Sequence, residues 1–114
     1  MNANLIYAVI LFLIAQSMIF FQANGQFFNE WFARNTLLLS VVGGSIISYI
    51  FISATKFSYM HFETVWPGRF LGFSVGIVSY ALLTWIFMGE GINTKTAISL
   101  SLATSIILIQ IFWK

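Results

Sequence analysis

The chain has 114 residues, of which 60% are hydrophobic, 18% aromatic and only 7% charged, with a formal net charge of +2 and no cysteine. A soluble domain carries roughly 25% charged residues, so this composition excludes a water-soluble globular fold, and the missing cysteine excludes a disulfide framework and a Cys-based metal site. The basic residues are few and scattered singly, which gives no basis for nucleic-acid binding. The expectation is an all-α membrane protein, a single domain over residues 1–114. Four transmembrane helices are predicted near 4–22, 36–55, 67–89 and 94–113, with short loops and a short interfacial helix.

The first apolar run extends from about Asn4 to Phe21. A cleavable signal peptide combines a basic leader, a shorter apolar core and a small-residue cleavage site. None of these is present, and the run reads as a retained first helix. Gln16 interrupts it near mid-span, beside Ser17. An amide is costly to leave facing hydrocarbon, so Gln16 should point at another helix or a cavity, as an interhelical hydrogen bond or a ligand contact.

Residues 22–35 form a polar break in which Phe27, Phe28, Trp31 and Phe32 recur at helical spacing, with Glu30 and Arg34 four apart. Aromatic side chains sit well at headgroup depth, so this stretch predicts a short helix lying at the membrane surface, as an anchor or a substrate gate. The second span follows from Thr36 to about Ala54 and carries the small residues Gly43, Gly44, Ser45 and Ser48. Tyr49 either places its hydroxyl in a polar interior or packs as an aromatic bonded to a carbonyl. Residues 55–66 read as the longest polar connection, a wet loop holding Lys56, His61 and Glu63. Two ligand types one residue apart, with no third nearby, are a weak metal signal, and a His–Glu proton relay is the other reading of the pair.

The third span opens with the chain's one proline, Pro67, a residue suited to the first turn of a helix. Gly68, Gly72 and Gly76 fall every fourth position, on one face where a neighbouring backbone can approach closely. Arg69 marks one end and Glu90 the other. Arg69 at a helix start reads as a headgroup anchor, or, if buried, as the partner of a phosphate or carboxylate. Thr94 is predicted to cap the fourth helix, in which Ser101 and Ser105, four apart beside Thr104, make a small face for packing within or between chains. Trp113 and Lys114 are expected to anchor the far interface. With four spans, the amino terminus, the Lys56/Arg69 side and Lys114 share one face against Arg34 and Lys95, a small bias toward termini inside.

Several of these runs are similar to the drug/metabolite transporter superfamily, and most similar to its four-helix small multidrug resistance branch. They are Ser74-Val75-Gly76-Ile77-Val78, the stretch from Leu82 through Phe87-Met88-Gly89-Glu90 to Ile92, the final Ile106-Ile107-Leu108-Ile109, and Ile46-Ile47-Ser48-Tyr49. The resemblance implies a dimer formed through the fourth helix, with cationic substrate bound at a first-helix Glu and an aromatic box on the third helix. It also implies departures. Gln16 falls where that branch has the first-helix Glu that binds proton and cationic substrate alternately, so that coupling is not available here. The branch's third-helix Trp falls at Gly72 and the preceding Tyr at Arg69, so its aromatic box is missing too.

Two functions follow as expectations. One is a dimeric carrier or flippase-type subunit binding a polar or lipid-linked substrate near Gln16, Tyr49 and Arg69. The other is a non-transporting accessory subunit whose Gly68/Gly72/Gly76 and Ser101/Ser105 faces meet larger membrane partners. The lipid bilayer is a partner in both, in a bacterial-type inner or plasma membrane. One His and three acids assemble no nucleophile–base pair, paired carboxylates or metal cluster, so no enzymatic activity, cofactor or metal is expected. Cysteine-accessibility mapping across Phe73–Phe87 is expected to find protected positions on at least one helix face. Uniform water exposure there would overturn the membrane-span assignment.

Overall fold

The computed structural model describes residues 3–113. Among them the chain is all-helical, and four helices are long and apolar enough to cross a membrane. Helix α1 (Ala3–Asn24) runs into a 3-10 turn (Gly25–Phe27), followed by the short α2 (Glu30–Arg34). The other long helices are α3 (Thr36–Phe62), α4 (Trp66–Met88) and α5 (Thr94–Phe112). The amino terminus and Lys114, which entered the topology and anchoring expectations, lie outside the described residues.

The helix ends follow from local chemistry. Asn29 caps α2 by accepting from the Trp31 N–H at 2.9 Å. The N-cap of α5 is Asn93, not Thr94: its Oδ1 accepts from the Thr96 N–H at 2.8 Å. The backbone of Asn93 is extended, which aims its side chain at the third amide of the helix, and Asn is among the strongest N-caps. Pro67 occupies the first turn of α4, where its missing N–H leaves no partner unmet. That helix closes through a π-turn, Thr84–Met88, and stops at Gly89 with φ of 70°, a left-handed conformation that glycine adopts without a Cβ clash. A second π-turn, Leu39–Gly43, lies early in α3, and Gln22 of α1 donates its Nε2 to the Leu39 carbonyl there at 3.0 Å.

The predicted loop at 55–66 is mostly helix, because α3 continues to Phe62 and only Glu63–Val65 connect it to α4. The polar residues that suggested a loop are accommodated individually. Thr55 donates its hydroxyl back to the Phe51 carbonyl at 2.8 Å. Lys56 points outward, while Ala54 and Ser58, four apart, are buried and Phe57 packs against the core. The apolar stripe therefore carries on past the charge.

The helices form an open row, α3–α1–α4–α5, rather than a closed bundle. The Cα envelope measures 46 × 35 × 18 Å. The core lies along α1: Leu5, Ala8 and Phe12 meet Ala54 of α3 and Leu71 and Val75 of α4. The most apolar stretch of α4 is 33% buried and that of α5 only 6%, so α4 is central and α5 hangs on its outer edge.

The glycine face of α4 sets how closely the row approaches. A Cβ at Gly72 would meet the Phe12 ring at 3.0 Å, and one at Gly68 would meet the Ser58 hydroxyl at 2.7 Å. At Gly76 it would fall within the Gln16 amide. Glycine here opens the space that the Gln16 side chain fills. Gly76→Ala is therefore expected to destabilise the protein by about 1–3 kcal/mol, the usual cost of overpacking. Combining it with Gln16→Ala should recover part of that loss, a coupling of about 1 kcal/mol. Reversible unfolding in mixed micelles measures both, and a neutral Gly76→Ala or strictly additive losses would contradict the fit.

Candidate functional site

Gln16 lies on the face of α1 that meets α4. It is half-buried and donates its Nε2 to the Gly72 carbonyl at 3.0 Å. Gly72 and Gly76, one turn of about 5.4 Å apart, present bare backbone to α1, whereas Gly68 faces Ser58 of α3. The amide is held at its nitrogen, with Gly76 beneath it. Gln16 also borders a partly open cavity of about 400 Å³, within the range of small-ligand sites.

Three helices build this cavity. Phe12 and Gln16 come from α1, Phe51 and Thr55 from α3, and Gly68, Arg69, Gly72 and Phe73 from α4, with Val65 closing the turn between α3 and α4. The pairs on α1 and α3 are each four residues apart, so each is one stripe of its helix, and α4 contributes two adjacent pairs at the same spacing, Gly68/Gly72 and Arg69/Phe73. Phe12 and Phe51 meet edge to face, with ring centroids 5.7 Å apart, and form an aromatic floor. Arg69 supplies the one charge on the wall, and no carboxylate lines it. Arg69 is exposed and has no ion-pair partner among the described residues.

The residues singled out in the sequence divide between this cavity and other places. Gln16 and Arg69 come together on its wall, with Gly68 and Gly72 between them. Tyr49 does not join them: it is 74% exposed on the outer surface of α3 and is not part of the lining. Ser101 and Ser105 are exposed on α5, where their hydroxyls donate to the Ala97 and Ser101 carbonyls of their own helix at 2.9 and 2.8 Å. Phe12, Phe51, Thr55, Val65 and Phe73 were not singled out. The signal for Phe12, Val65 and Phe73 was their four-residue spacing from Gln16 or Arg69, which carries weight only once those two are known to share a site.

His61 and Glu63 do not assemble a metal centre. Glu63 takes a left-handed conformation, φ of 63°, where it ends α3 and donates its N–H to the Tyr59 carbonyl at 2.8 Å. The His61 ring lies edge-on to Phe62, and its Nδ1 is buried without a hydrogen-bond partner. Among the described residues no group of three or more His, Asp or Glu side chains could hold a metal ion.

A second cavity, of about 230 Å³, lies between the far end of α4 and the start of α5, with Thr84, Glu90, Thr96 and Ser99 on its wall. Beside it an aromatic cluster joins α1, the connection to α2 and α4. Phe21 and Phe87 have centroids 5.0 Å apart, Phe28 stacks on Phe87 at 5.9 Å, and Phe20 meets Tyr80 at 5.3 Å. Phe28 thus folds the 25–35 connection back onto the helices. Compared with protein-family models, curated proteins and solved structures, the chain matches none.

Proposed function

We propose that this chain is a four-span integral membrane protein that acts as a carrier- or flippase-type subunit, binding its substrate in the cavity between α1, α3 and α4. The observation that carries the reading is the amide of Gln16, presented to a partly open cavity by a helix long and apolar enough to cross the bilayer. In hydrocarbon a polar group needs a partner or costs several kcal/mol. Gln16 finds one at Gly72, while the adjoining space gives a substrate a polar contact at membrane depth. The three helices around it also carry the two polar side chains, Gln16 and Arg69, that an amphiphile with a polar head needs. Activity is non-enzymatic in this reading, and the resemblance to the small multidrug resistance branch supplies its dimeric state.

A second reading has its own observation. With the apolar stretch of α5 only 6% buried, most of that helix is free to meet a larger membrane protein, as an accessory subunit requires. The mass of the particle in mild detergent separates the two: two copies favour the carrier, and a large hetero-complex favours the subunit.

The carrier reading is tested in proteoliposomes holding fluorescent NBD-phosphatidylcholine and NBD-phosphatidylglycerol, with dithionite reporting movement between leaflets. The protein is expected to accelerate at least one lipid severalfold over protein-free vesicles. Gln16→Leu, which removes the amide, and Thr55→Trp, which fills the cavity from its exposed rim, should each abolish the acceleration while leaving particle mass and helix content unchanged. Rates equal to protein-free vesicles, or acceleration that survives both substitutions, would overturn it. Gln16→Glu adds a carboxyl group, which attracts a cation only when it is deprotonated. Binding of the hydrophobic cation tetraphenylphosphonium by this variant should therefore appear at high pH and fade as pH falls.

A further inference from the structure

The charge of the α1/α3/α4 cavity is all of one sign. Among the residues that line it, Arg69 is the only ionisable side chain, and the other polar groups are the Gln16 amide and the Thr55 hydroxyl. Thr55 already donates to the Phe51 carbonyl and the Gln16 nitrogen to Gly72. Arg69 donates to no carboxylate among the described residues. Its guanidinium keeps five N–H donors in a planar fork that matches a phosphate or carboxylate.

The surroundings of Arg69 act in the same direction. It lies in the first turn of α4, where the helix dipole adds partial positive charge. Gly68 also lines the cavity at this end. Against Gly68 lies the Ser58 hydroxyl, 1% exposed and without a hydrogen-bond partner. The walls away from Arg69 are Phe12, Phe51 and Phe73, a surface for hydrocarbon. A cationic ligand finds no counter-charge anywhere on this wall.

We propose that the cavity selects an anionic, phosphate-bearing amphiphile, with Arg69 as the partner of the phosphate and the phenylalanine walls as the seat of the apolar part. This rests on the reading of the cavity as a ligand site and names its substrate class. The same phosphate chemistry is offered by a lipid headgroup and by a small phosphate ester. The apolar walls favour the lipid.

Isothermal titration of the intact protein in phosphatidylcholine nanodiscs tests this with three probes: dihexanoyl phosphatidic acid, dihexanoyl phosphatidylcholine and glycerol 3-phosphate. Phosphatidic acid is expected to bind about tenfold or more tightly than phosphatidylcholine, the scale of one charge-assisted hydrogen-bonded pair. Glycerol 3-phosphate should bind weakly, and competing as well as phosphatidic acid would reassign the site to a soluble phosphate ester and overturn the lipid claim. Arg69→Gln should erase the preference, and Arg69→Lys should keep part of it by retaining the charge. Lys56→Gln, at an exposed lysine one residue beyond the cavity-lining Thr55, should leave it intact. Equal binding of the two lipids, an Arg69→Gln variant that retains the preference, or an equal loss in Lys56→Gln would overturn the proposal, the last by assigning the effect to bulk attraction at the membrane surface. If both NBD lipids move equally and Arg69→Gln changes neither, charge selection fails while the carrier reading stands. If neither lipid moves, the carrier reading fails and the titration still decides the preference.

Discussion

The register of the seam between α1 and α4 is set by the Gln16 amide, which donates to the Gly72 carbonyl in the gap left by Gly76, while Tyr80 reaches Asn24 at the seam's end at 3.4 Å. Water is absent from a bilayer core, so helices there associate by close van der Waals contact and interhelical hydrogen bonds rather than by the hydrophobic effect. The seam between α1 and α4 uses both. Phe12 sits over Gly72 and Gln16 over Gly76, four residues apart on each helix, so the two contacts share one register. A slip of one residue would put the amide against Ile77 or Val75 and leave it without its carbonyl. The hydrogen bond is modest in strength, about 0.5–1.5 kcal/mol net. Its larger effect is on register, because the alternatives strand a polar group.

The open row follows from that seam. Once α1 is committed to α4 on one side and to α3 on the other, its small and aromatic residues are used up, and α5 has only the far side of α4 left to meet. The exposed polar residues of α5 do not contradict this arrangement. Ser99, Ser101, Thr104 and Ser105 each donate to the carbonyl four residues earlier, so their hydroxyls are satisfied within the helix whether lipid or protein covers them. The same back-bonding occurs at Ser40, Ser45 and Thr55 of α3. Small polar residues in this chain therefore do not by themselves mark an interface. A side chain that reaches across to another helix, as Gln16 and Gln22 do, carries more information.

The long helices were legible because apolar runs of about twenty residues have few other uses, and the glycine face was legible because every-fourth spacing has a geometric meaning. The extent of α3 was not. Thr55, Lys56, Ser58 and His61 look like a loop when polarity is counted, and become a helix when each group's exit is considered: back-bonding, an outward ammonium, or burial against Gly68. The cap of α5 was misplaced by one residue, since Asn93 and Thr94 are both good caps and the choice depends on where the backbone is extended. The shared cavity of Gln16 and Arg69 joins residues 53 positions apart, a proximity that periodicity within single helices does not encode. Tyr49 was grouped with them by similarity of sequence, and its place on the outer surface of α3 separates it in a single chain.

The departures from the resembling family gain a common sense when placed in the cavity. That resemblance puts a glutamate at the position of Gln16 and a tyrosine at that of Arg69. The first departure removes a negative charge and the second adds a positive one, and both side chains lie on the same wall. A site built on glutamate is stable when it holds a proton or a cation. A site lined by glutamine and arginine offers an amide and a guanidinium and no carboxylate, so among charged ligands its hydrogen-bond donors suit an anion better than a cation.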